Sequence, residues 1–143
     1  MSVTKLYTPD VLGLAMELAN SPPLIDATAS GDARSPACGS TLNVSLRLDA
    51  GGRIEGLGLL VSACAIGQAA AALFARHAIG RDAGDIVAAQ AQIARWLAGE
   101  ASSPDWPDLA IIEPARAFPG RHGAILLPWE AAASALSHAP SAA

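Results

Sequence analysis

A single small domain that mixes helices with one antiparallel hairpin is the class this sequence predicts. Three observations carry that reading. The length of 143 residues is that of one domain. Leu42, Val44, Leu46 and Leu48 alternate with Asn43, Ser45, Arg47 and Asp49, the period of a strand with one buried face. The stretches on either side are spaced like helices and bounded by capping residues, the one after the hairpin being alanine-rich. With 52% hydrophobic and 15% charged residues and a mean hydropathy of +0.35, the chain lies far from the composition that keeps a polymer unfolded. A net charge of −4 and a pI near 5.2 leave no basic field for a phosphate backbone, so nucleic acid is not an expected partner.

The elements follow in chain order. Thr8-Pro9-Asp10 supplies a hydroxyl cap, a proline at the first helical position and an acid near the positive helix end. A helix carrying Val11, Leu14 and Leu18 should follow, stopped by Asn20-Ser21-Pro22-Pro23. Residues 26–36 read as an exposed loop, because turn formers dominate and no period survives. The alternating strand comes next, then a turn at Asp49-Ala50-Gly51-Gly52 and a returning strand from Arg53 to Val61. The glycines of that second strand suggest a bulge or a close backbone approach. Helices are expected over 65–78, closed by Gly80, and from Asp82 or Asp85 to Leu97, stopped by Gly99. Further helical pieces are expected near 108–115 and 128–136. The chain should be one domain ordered over about 5–136, with residues 139–143 frayed.

Residues 56–75 carry no charge and approach the length that spans a bilayer. The alternation of Leu57, Leu59 and Val61, with Gln68 and Ser62 inside the stretch, divides it into a strand and a helix, so no membrane association is expected. The first ten residues hold no apolar run before a small-residue cleavage site, and a cytoplasmic location is expected. In such a compartment Cys38 and Cys64 should stay unpaired. Cys38 lies just past the 26–36 segment, and Cys64 sits where a strand meets a helix, so the hairpin can bring both to one end of the sheet. At a helix N-terminus a thiol feels the positive end of the dipole, which favours the thiolate. A small apolar filler is the other reading of each cysteine.

Leu6-Tyr7-Thr8-Pro9, Ser35-Pro36-Ala37-Cys38-Gly39-Ser40, Ser62-Ala63-Cys64-Ala65-Ile66, and Phe118-Pro119-Gly120-Arg121 with Leu127-Pro128-Trp129 resemble the U-type iron-sulfur cluster assembly scaffolds. Among these the Suf-type branch is the most similar. The resemblance runs from about residue 5 to residue 136, with the motifs in order. It implies an α+β domain with a small antiparallel sheet, helices packed on one side, and a metal or cluster site at one exposed end. It also implies a protein that works by binding and transfer rather than turnover. The implied cargo is a transient [2Fe-2S] cluster or iron, with zinc as the alternative. The implied partners are a cysteine desulfurase and cluster-acceptor proteins.

Carried over residue by residue, the family's first two cysteines fall on Cys38 and Cys64. The aspartate two residues after the first cysteine is replaced by Ser40, and the third cysteine, three residues after an arginine, falls on Ala124. Half of the implied set of three thiolates and a carboxylate is therefore missing. His122 is the nearest substitute donor, with a solvated loop histidine as its other reading. Arg121 is a candidate contact for a partner or a persulfide. His77 lies more than three helical turns beyond Cys64, and Trp129 and Leu127 read as core. Two routes to four ligands remain: a homodimer sharing Cys38 and Cys64 of both copies, or one copy completed by His122 and a small ligand. A metal-free docking or regulatory module for the desulfurase machinery is the alternative function, and a sulfur transferase using Cys64 alone is a third. If the family pattern transfers in full, the side chain of Ala124 should point into an exposed pocket with both cysteines.

Overall fold

The computed structural model describes residues 6–100 and 103–137. The expected fraying at 139–143 and the tail histidine His138 lie outside them. The first helix, α1 (Pro9–Glu17), begins as its cap predicts, with the Thr8 side chain accepting from Val11 N at 3.2 Å. Its buried Val11 and Leu14 face the core, and Leu18 continues into a 3₁₀ turn over Leu18–Asn20.

Three strands follow: β1 (Ala29–Arg34), β2 (Thr41–Leu48) and β3 (Ile54–Ser62), antiparallel in the order β1-β2-β3. Strand β1 corrects the expectation of a loop over 26–36. Its sequence, ASGDAR, has no apolar alternation because its place is fixed from outside. Ala29 to Arg34 pair with Leu46 to Thr41, while the last helix, α4 (His122–Ser137), packs directly over Gly31. There an added methyl would overlap the Ala131 carbonyl oxygen and approach Ala135 N to 2.7 Å. Glycine is required here by close approach. In β2, Leu42, Val44 and Leu46 are buried, as the alternation predicts. Ser45, on the opposite face, is also buried because the segment 22–24 crosses that face. Leu24 N donates to Ser45 Oγ at 2.9 Å, and a side chain at the facing Gly58 would overlap the Pro22 carbonyl. The register shifts at Arg47/Leu48, opposite Gly56 and Ile54, where the glycines suggested a bulge.

Helix α2 (Ala65–His77) runs through the centre, with Ala69 to Phe74 all buried. It is followed by α3 (Ala83–Leu97), started by a reciprocal Asp82/Asp85 capping box and followed by Gly99 at φ 80°. The helical piece expected at 108–115 is a 3₁₀ helix over Leu109–Ala117 that contains Pro114. Proline has no N–H for an α-helical bond there. Helix α4 begins six residues before the expected Pro128. Pro128 lies inside it rather than at its first turn. Phe74, Trp106 and Trp129 close the core, with Phe74 and Trp106 stacked at 5.7 Å and Trp129 edge-on to both. The result is an α+β fold. Among the described residues no helix is long and apolar enough to cross a membrane.

Candidate functional site

The strand register places the two cysteines at one end of the sheet. Arg34 pairs with Thr41, and Thr41 with Ser62, so the β1–β2 connection holding Cys38 and the β3–α2 junction holding Cys64 leave from the same end of the sheet. The β1–β2 connection is a tight turn. Ser35 N donates to the Ser40 carbonyl and Gly39 N to the Ser35 carbonyl, each at 2.8 Å. Gly39 adopts φ 72°, the left-handed conformation that glycine takes at no steric cost.

This turn presents Cys38 to solvent while folding two serine hydroxyls beneath it. The Cys38 thiol donates to Ser35 Oγ at 3.5 Å, and its sulfur lies 3.0 Å from Ser40 Oγ, where either atom can donate. Ser35 and Ser40 are only 2% and 6% exposed. The hydrogen bond with the Ser35 side chain, then those with the Ser40 side chain and backbone, hold the Cys38 thiol below its ordinary pKa, with the positive charge of Arg121 adding in the same sense. Cys64 is half-buried at the N-cap of α2, in extended conformation, and makes no side-chain cap bond. Its carbonyl accepts from Gln68 N at 2.9 Å, leaving the sulfur uncommitted to the helix end.

The start of α4 completes this end of the molecule. The short 3₁₀ turn Pro119–Arg121 delivers Arg121, which donates to Tyr7 Oη at 3.3 Å. Gly123 lies directly against Ser35, where an added side chain would overlap the hydroxyl. Ala124 is fully buried rather than in an exposed pocket. A Cβ built on Gly67, three residues into α2 from Cys64, would meet the Ala124 methyl at 3.2 Å. The methyl thus fills the seam between the starts of α2 and α4. His122 turns away, its Nε2 lying 2.9 Å from the Arg116 carbonyl. His77 is likewise engaged elsewhere, with Nε2 2.9 Å from Asp108 Oδ2. Trp129 and Leu127 are core residues.

Sequence reasoning did not single out Ser35. The available signal was a serine three residues before Cys38 and another two after it, around a turn-forming glycine. An open groove of about 600 Å³ on the same end of the sheet, lined among others by Asp32, Arg34, Asn43, Leu60 and Ser62, was also not foreseen.

A resident zinc ion would need about four ligands in tetrahedral array. This end supplies two thiols, and among the described residues no group of three or more His, Cys, Asp or Glu comes together. Ser40 is neutral and engaged with Cys38, and the charge acting on Cys38 is the cation of Arg121. The donor set of one copy does not fit the ion.

No protein-family model matches the chain, and no curated protein does. Solved structures do. A nitrogen-fixing NifU-like protein (N-terminal) from Brucella abortus superposes with a TM-score of 0.85 at 29% identity, covering 94% of each chain. A candidate iron-sulfur cluster assembly scaffold protein for the SUF system, from the thermophile Fervidobacterium islandicum, gives 0.80 at 16% identity over 96% of this chain and 98% of that one. A hypothetical protein gives 0.71 at 19% identity over 90% and 97%. The resemblance read from the cysteine and proline motifs therefore extends to three dimensions: the chain has the fold of the U-type iron-sulfur scaffolds. Within that class it is similar to NifU-like and SUF-system proteins over nearly its whole length.

Proposed function

We propose that the chain is a scaffold-like protein of iron-sulfur cluster assembly, working in the reducing cytoplasm by binding and transfer. It accepts sulfur from a cysteine desulfurase at Cys38 and passes it on, with Cys64 as the second thiol of the same end. The observation that carries this reading is the exposed Cys38 sulfur held over the Ser35 and Ser40 hydroxyls. Its support is a fold shared with scaffolds over nearly all of the chain. An iron-sulfur cluster is cargo in this reading, and two copies, each lending Cys38 and Cys64, would supply the four thiolates of a [2Fe-2S] unit.

Incubation with a cysteine desulfurase and ³⁵S-cysteine tests the reading. Label should reach the parent protein, be lost in Cys38→Ser, and be released by a thiol reductant. Equal labelling of Cys38→Ser would overturn it. A second reading, a metal-free module that docks on the desulfurase and regulates it, is favoured by the loss of a carboxylate at Ser40 and of a thiol at Ala124. In that case the Cys38→Ser/Cys64→Ser double variant should change desulfurase turnover as much as the parent does.

A further inference from the structure

The residues around Cys38 select between sulfur and metal as what this end of the molecule takes. Their chemistry is that of an anion site. The Ser40 hydroxyl, 3.0 Å from the sulfur, can turn its proton toward it, and the Ser35 hydroxyl lies 3.5 Å away as the partner of the thiol. A guanidinium fixed by Tyr7 supplies the nearby charge, and among the described residues no group of three or more His, Cys, Asp or Glu forms around the cysteines. A divalent cation would meet the opposite arrangement: two thiols, a like charge, and no third donor. The positions where a third and a fourth donor would enter serve the fold instead. The hydroxyl of the buried Ser40 is spent on Cys38, and the buried Ala124 methyl packs against the start of α2. His122, the remaining substitute, has its Nε2 on a backbone carbonyl.

We infer that one copy of this chain takes up sulfane sulfur on Cys38 without a metal ion, the serine hydroxyls and Arg121 standing where a cation would otherwise hold the thiolate. The inference rests on the sulfur-accepting reading above and sharpens it. In the step, the Cys38 thiolate attacks the outer sulfur of a donor persulfide. A new S–S bond forms at Cys38 as the donor's S–S bond breaks, and the donor cysteine leaves as a thiolate with the electron pair. The proton lost from Cys38 ends on solvent or on that thiolate. One S–S bond replaces another, so no external oxidant or reductant enters.

The full-length chain, stripped with a chelator, is treated with glutathione persulfide in the presence of chelator or of one equivalent of zinc. Uptake is read by intact-protein mass spectrometry as the gain of one sulfur atom. Zinc stoichiometry is measured in parallel by competition with a chromophoric chelator, on a sample shown to be monomeric by light scattering. The expected result is equal uptake in both conditions, located on Cys38, lost in Cys38→Ser, retained in Cys64→Ser, with no stoichiometric zinc. Uptake that requires zinc, or one tightly held zinc per monomer that is lost in either cysteine variant, would overturn the inference and leave the sulfur-accepting reading standing. Uptake in neither condition would overturn both.

Discussion

The sulfur of Cys38 owes its character to side chains three residues before it and two after it. A hydrogen bond to a thiolate stabilises the charged form by more than it stabilises the thiol, so the two hydroxyls together favour ionisation. Removing them should move the reaction of Cys38 with iodoacetamide to higher pH. Ser35→Ala and Ser40→Ala should each raise the midpoint of that profile, Ser40→Thr should restore much of it, and the profile of Cys64 should stay where it is. An unchanged midpoint in both alanine variants would mean that the serines only shape the turn. At this scale the sequence is legible where chemistry is local. Cys38 and Cys64 could be singled out by residue type and by their places around the hairpin, and Ser40 by the motif. The orientation of His122 could not, since it depends on the Arg116 carbonyl six residues earlier, brought round by a 3₁₀ segment that the sequence suggested as a helix.

Among the elements, those with their own local signals were readable, and those defined by packing were not. The Thr8 cap, the Asp82 capping box, the Asp49–Gly52 turn and the alternation of β2 each need only neighbouring residues. Strand β1 needs β2 on one side and α4 above it, and the short side chains that hide its period are what let α4 approach. Gly31→Ala measures that dependence. The added methyl would overlap Ala131 O and crowd Ala135 N, both backbone atoms of α4 that cannot rotate aside. The helix must lift, at a cost of about 1–3 kcal/mol or more for overpacking of this kind. Urea denaturation should show the midpoint falling with little change in slope. Gly13→Ala, where an added Cβ meets nothing within 4 Å, should be neutral or mildly stabilising in its helix. Because Gly123 lies against Ser35 at the same α4 seam, Gly31→Ala should also slow alkylation of Cys38, linking the packing of α4 to the site.

Across the whole molecule, one guanidinium ties three parts of the chain together. Arg76, in the last turn of α2, bonds Glu17 of α1 at 2.6 and 2.9 Å and reaches Asp108 at 3.4 Å. Asp108, which adopts φ 68° at the start of the 3₁₀ segment, also bonds His77. The Arg76 hydrogen bond holds Glu17 below the ordinary carboxylate range, and the His77 bond does the same for Asp108. A carboxyl whose folded-state pKa is depressed adds stability above its unfolded value, and that contribution is lost as pH falls through the folded value. Glu130 of α4 runs the other way. Burial raises its pKa, so between its ordinary and raised values the folded state holds a proton that the unfolded chain releases. Stability then declines as pH rises through that window, and above it the partly buried charge is a standing cost. Arg76→Ala and Glu130→Gln should therefore have opposite signs. Thermal unfolding midpoints, followed from about pH 3 to about pH 8 across the carboxylate range, should fall for Arg76→Ala at neutral pH. That deficit should narrow in acid, where Glu17 and Asp108 become protonated. The midpoint should rise for Glu130→Gln at neutral pH, and the gain should vanish in acid, where the native glutamic acid is itself neutral. A Glu130→Gln variant less stable than the parent at pH 7 would mean that the carboxylate has a partner that stabilises its charge.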